Sequence, residues 1–162
     1  MTVTAQQSNQ LAGLASLPAS AIEVVDRAKL RIDRIDFKQS GAGDSNSTID
    51  LCAIGYGHIR IIPALSWLQW SAWGAGALLS VGHTGYTKLD GTVIAAAPAV
   101  IEDSLDVHAA GQAYLGVGTG AAANLGGLEI EAKTGLLLQA KVTGAGIPDQ
   151  ATLIGWIAYT RD

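Results

Sequence analysis

Cys52, the three histidines His58, His83 and His108, Ser80, and the acidic group Glu102, Asp103 and Asp106 are the side chains whose chemistry could support catalysis or hold a metal. A nucleophile needs a base within hydrogen-bond reach, and carboxylate or metal chemistry needs its groups to converge. The spacing supplies neither. Ser80 lies in LLSVG, where Leu78 takes the first glycine position of a G-x-S-x-G elbow. His83 follows Ser80 by three residues, which on a strand puts the two on opposite faces. The histidines show no H-x-x-x-H or H-E-x-x-H spacing. The run from Asp44 to Asp50 opens like a calcium loop. Ile49 stands at the turning glycine position, however, and Gly55 where the distal glutamate belongs, so an Asx-rich turn is expected. GVGTG at 116–120 lacks the glycine order and the following helix of a phosphate cradle. The expectation is a chain without catalytic residues, bound metal or cofactor. Glu102, Asp103 and Asp106 are expected to form a solvated acidic corner, the histidines to stand alone at strand ends, and Cys52 to be a small buried hydrophobe.

The tryptophans are the next candidates. If residues 65–73 form one strand, Trp67 and Trp73 share a face and Trp70 lies on the other. Trp67 and Trp73 are then about 20 Å apart, too far to stack on adjacent sugars. Residues 151–160, with Trp156, are likewise apolar on both faces. A strand of that kind is central in a two-sided core or half in a subunit interface. Trp67, Trp70, Trp73 and Trp156 are therefore candidate contact residues. Leu11, Leu14 and Leu17, spaced by three in a stretch without charge, join them as a strip that docks on a neighbour.

The elements that position these residues are mostly short strands between Gly-rich turns. Strands are expected at about 49–54, 58–62, 65–73, 77–83, 113–117, 128–133, 136–142 and 151–160. In 29–38 the apolar parity flips at Asp33-Arg34, which signals a bulge or a change of sheet. Thr134-Gly135 separates two alternating runs and predicts a hairpin. Residues 84–112 read as a long excursion with one short element inside it. The fold class is all-β: an antiparallel sandwich, a jelly roll of about eight strands, with an extended N-terminal arm at 1–28 and the sandwich at 29–162.

Composition narrows the function. The chain has 162 residues, 20 of them glycine, and it is also rich in alanine. Charged residues are 15 %, against about 25 % for a typical soluble protein. A net charge of −4 without a Lys/Arg cluster argues against nucleic acid. A single cysteine excludes a disulfide scaffold, and the apolar runs are too short to span a bilayer. A surface this poor in charge suits a subunit packed against others. Homo-oligomers are expected, dimers before trimers.

The turns and strands resemble small virion proteins of tailed bacteriophages, of the cement or head-decoration type. The resemblance runs through the strand at 49–54, Gly55-Tyr56-Gly57, the strand at 58–62, Gly74-Ala75-Gly76 and residues 78–82. It continues in the alternating run 127–133, LLLQAKV at 136–142 and the closing 156–160. It covers residues 29–162; the arm and the 84–112 stretch have no counterpart. It implies a jelly roll and a non-catalytic structural role in the virion. The implied partner is the major capsid protein, and the implied place is the outer capsid surface after synthesis in the host cytoplasm. The competing expectation is a tail- or fibre-associated adhesin module that binds carbohydrate.

Overall fold

The computed structural model describes residues 29–116 and 127–161. These form β1 (Leu30–Lys38), β2 (Thr48–Ile54), β3 (Gly57–Ile61), β4 (Trp67–Trp70), β5 (Leu78–His83), β6 (Tyr86–Thr87), β7 (Val93–Ile94), β8 (Ala97–Asp106), β9 (Gly111–Tyr114), β10 (Leu128–Ala132), β11 (Leu136–Thr143) and β12 (Thr152–Arg161). The predicted arm, with Leu11, Leu14 and Leu17, lies outside the described residues.

β12 organises the first sheet. β1 pairs along nearly its whole length on one flank. On the other flank β4 pairs with Leu153–Trp156 and β3 with Tyr159–Arg161, end to end. Beyond them lie β9 and β10. The sheet is thus four positions wide, with the third and fourth each split in two. The second sheet has the order β2-β11-β5-β8. Taking β3/β4 and β9/β10 as one position each, the chain passes between the sheets in the eight-stranded pattern of a jelly roll.

The split in the third position has a local cause. Pro63, which has no N–H to give a ladder, opens a 3-10 turn over Pro63–Leu65. The fully buried Ser66 then mends the ladder with its side chain. Its hydroxyl accepts from the Ala158 N–H and donates to the Ile62 carbonyl, both at 3.0 Å. Ile62 N–H donates to the Ala158 carbonyl at 2.9 Å, so no ladder group of Ala158 is stranded.

Period-2 alternation fills the interior. Leu136, Leu138, Ala140 and Val142 of β11 face Leu153, Ile157 and Tyr159 of β12 across the core, with Ile59, Ile61, Leu68, Leu79 and Val81.

Four expectations from the sequence need correction. The parity flip at Asp33-Arg34 is no bulge: β1 runs against β12 in unbroken register from Leu30 to Lys38. Ile35 and Phe37 turn inward, and Leu30 and Ile32 are left on the outer face, 51 % and 60 % exposed. Thr134-Gly135 does not close a hairpin, since β10 pairs with β3 in one sheet and β11 with β2 and β5 in the other. Residues 84–112 are not irregular: β6 and β7 extend the β5–β8 hairpin, turning at Lys88–Thr92, before β9 begins. The 65–73 strand is cut to β4, because the 3-10 turn takes its start and Trp73 leaves the sheet line to enter the core.

Within the β5–β8 hairpin, register passes from Leu79–Leu105 to Val81–Glu102, so Ser80 faces two residues. Ser104 takes φ 57° there, and the Ser80 hydroxyl ties the bulge by donating to Asp103 Oδ1 and accepting from Ser104 N–H, both at 3.2 Å.

Candidate interaction surface

The chemically capable side chains do not converge among the described residues. Ser80 is bound to the bulge, while His83 Nδ1 lies 2.7 Å from the Thr84 carbonyl and its ring meets Tyr86 edge-on. His108 pairs with Asp106 at 2.6 Å, and His58 with Glu131 at 3.5 Å. No group of three or more metal-ligating side chains forms among the described residues. No helix among them is long and apolar enough to cross a membrane. The acidic corner is also corrected: Asp106 is exposed, but Glu102 is buried and accepts from the Gly116 N–H at 2.7 Å. A carboxylate reaching one buried backbone donor is a tether for the chain leaving β9.

Cys52 is half-buried rather than fully buried. Burial, with a smaller push from the Asp33 charge, raises its thiol pKa to about 12. A folded chain at pH 8 then carries on the order of a thousandfold less thiolate at this site than a free cysteine does. Labelling by a maleimide or aromatic disulfide is expected to be slow in buffer and fast in denaturant, with absorbance of the released or bound reagent as readout.

The outer face of the β12 sheet is the notable surface. Register sets Arg34 of β1, Trp156 of β12, Trp67 of β4 and Tyr114 of β9 in one row across four strands. The Trp67 and Trp156 rings stack with centroids 4.8 Å apart and planes at 27°. Trp156 Nε1–H donates to the Leu65 carbonyl at 2.8 Å, which fixes the ring beside the 3-10 turn. The next row holds Asp36, Ile154, Gln69 and Gln112. On the other side Ile32 sits opposite Ala158. The face thus carries three neighbouring aromatic rings, Trp156, Trp67 and Tyr114, and Leu30, Ile32, Leu65, Tyr114 and Ile154 are all exposed. Toward β3 and β10 it becomes charge-balanced: Glu131 faces His58, and Glu129 faces Arg60 at 3.9 Å. Those four side chains, with Tyr86 and Lys88, line an open cleft of about 310 Å³.

Of the four candidate tryptophans, the fold brings Trp67 and Trp156 together at this surface. Trp70 and Trp73 go elsewhere. Both are buried, with Trp70 Nε1–H on the Ala109 carbonyl at 2.9 Å and Trp73 Nε1–H on the Thr152 carbonyl at 3.4 Å. Their rings fill the interior instead of facing a neighbour, because Trp70 has inward parity on β4 and Trp73 follows the chain into the core. Sequence reasoning missed Leu30, Ile32 and Tyr114 as surface residues. The signal for the first two was the parity flip itself.

No family model matches the sequence, and no curated protein matches it. Among solved structures, the chain is similar to one in the cyanophage Pam1 capsid asymmetric unit. That match has a TM-score of 0.55 and 12 % identity, and it spans 99 % of this chain and 100 % of the other. A subviral particle of infectious bursal disease virus VP2 aligns at TM-score 0.48 and 16 % identity, over 85 % of this chain and 33 % of that one. The chain thus spans about a third of the VP2 molecule it aligns with. The match to the Pam1 chain shows that the two chains share a fold.

Proposed function

We propose that the chain is a structural virion protein, a capsid cement or decoration subunit that bridges neighbouring major capsid subunits and performs no catalysis. The observation that carries this reading is the set of exposed aromatic and aliphatic side chains on the outer face of β1, β12, β4 and β9. A soluble domain rarely gathers this many exposed aromatic and aliphatic side chains on one face unless another protein covers it. The full-length likeness to a chain of a phage capsid asymmetric unit supports the virion setting. The sequence of residues 1–20 supports it too, since it carries no charged side chain and spaces Leu11, Leu14 and Leu17 by three.

The mechanism is linkage. A subunit that binds the assembled shell and not free coat protein stabilises the shell by RT ln(1 + [L]/Kd), about 2.7 kcal/mol per site at a hundredfold excess over Kd. Rigid strands hold the contact residues in place, so little ordering entropy opposes binding. A sugar-binding module would instead need open ring faces. Trp67 and Trp156 each give one face to the other, which favours the protein-contact reading.

The test is particle stability. Capsids assembled with the full chain, with a form lacking residues 1–20, and without the chain are compared for yield and heat tolerance. Loss of tolerance without the chain, and partial loss with the truncated form, is expected. Unchanged particles together with glycan binding by the purified chain would overturn the reading.

A further inference from the structure

We infer that the outer edge of β1, unpaired among the described residues, is a homotypic pairing site, which joins two copies of the chain through antiparallel β1–β1 contact centred on Ile35. The inference rests on the homo-oligomer expected from the sequence and not on the coat-protein reading.

The backbone geometry fixes which groups are free. Ala158 and Thr152 direct their N–H and C=O groups away from β1, toward Ile62, Ser66 and Ser71. In an antiparallel ladder the direction alternates, so Leu153, Gly155, Ile157 and Tyr159 are the residues that bond β1, at Phe37, Ile35, Asp33 and Arg31. Leu30, Ile32, Arg34, Asp36 and Lys38 therefore aim their backbone groups outward from the sheet edge. Among the described residues those groups have no hydrogen-bond partner. The edge is nine residues long, holds no proline and keeps unbroken register. Such an edge is a template for another strand unless its side chains prevent pairing.

The charges select one register. A two-fold axis perpendicular to the sheet pairs residues of equal parity, and only even-numbered residues offer free backbone groups. Centring on Asp33, Arg34 or Asp36 sets that residue against its own copy and opposes like charges. Centring on Ile35 sets Arg34 against Asp36 of the second copy, and Asp36 against Arg34 of the second copy. Both side chains are well exposed, 80 % and 67 %, and lie 3.2 Å apart within one chain, so the dimer gathers four alternating charges. Ile32 then faces Lys38 of the second copy, whose methylene stem covers it. Centring on Ile32 or on Phe37 also opposes unlike charges, Arg31 with Asp33 or Asp36 with Lys38, but pairs only residues 30–34 or 36–38 of β1. The Ile35 register pairs residues 32–38, with two backbone bonds at each even position, about eight in all. It also extends the outer face into one continuous surface across both copies.

Sedimentation velocity of the full chain at micromolar concentration tests this. The wild-type chain is expected to be a dimer. Arg34→Asp alone and Asp36→Arg alone each place like charges opposite one another and are expected to weaken dimerisation about tenfold or more. The double variant Arg34→Asp with Asp36→Arg restores the opposition and is expected to recover the dimer. Circular dichroism reports whether each variant folds. A monomeric wild-type chain, a closed trimer, or a dimer indifferent to both single changes would overturn the inference. A monomer that still protects particles from heat would do so while leaving the capsid reading intact.

Discussion

Gly155→Ala is expected to destabilise the chain by about 3 kcal/mol. Gly155 lies mid-strand in β12, opposite Leu68, where β4 approaches closely. A Cβ there would run into the Trp67 carbonyl oxygen and meet Leu68 Cα at 3.0 Å. Both are backbone atoms of a paired strand, and neither can swing aside as a side chain would. β4 must move away, which lengthens the ladder bonds on one flank of the central strand and pulls Trp67 from Trp156. For a domain of this size the melting temperature falls by roughly 10 °C. Gly41→Ala is the control. Gly41 sits at φ 74° in an exposed turn with nothing near the new methyl group, so only the left-handed backbone is penalised, at about 1 kcal/mol. Thermal melts of the two variants should differ severalfold in shift. Equal shifts would show that the β12–β4 approach yields easily.

Replacing Trp67 and Trp156 together by serine is expected to abolish binding to assembled shells while the chain still folds. Both rings lie on the outer face rather than in the core, so the stability loss is the stacking contribution, about 0.5–1.5 kcal/mol, plus partial burial. The binding loss is larger. A desolvated tryptophan at an interface centre contributes about 2 kcal/mol or more, roughly thirtyfold in affinity for each ring. Cosedimentation of the chain with particles gives the affinity, and circular dichroism confirms the fold. Trp70→Phe offers the contrast. It alters a buried ring held at Ala109, so it should lower stability and leave particle affinity unchanged.

The fold class was legible because alternation and Gly-rich turns persist along most of the chain. The eight jelly-roll positions follow from them even though two positions are each built from two strands. Sheet membership was not legible. A tight turn between two alternating runs looks the same whether the chain folds back in one sheet or crosses to the other, so the β10–β11 passage resembled a hairpin. Parity reports which residues share a face and not which face is buried. The flip at Asp33-Arg34 was the trace of Leu30 and Ile32 pointing outward on an edge strand, and a bulge was the cheaper explanation of the same pattern. The spacing of Trp67, Trp70 and Trp73 misled because the strand ends at Trp70 and Trp73 leaves the sheet line for the core. The partner of Trp67 lies 89 residues on, at Trp156, and only strand order makes them neighbours. Glu102 gave no sign of burial, since its partner is a backbone N–H with no side-chain signature.

The central claim is that the outer face of β1, β12, β4 and β9 belongs to neighbouring subunits. Hydroxyl-radical footprinting of the full chain, free in solution and bound to particles, tests it most directly. Ile32, Trp67, Tyr114 and Trp156 are expected to be strongly protected on the particle relative to the free chain. Equal modification of these four residues in both states, with protection confined to other surfaces, would contradict the account.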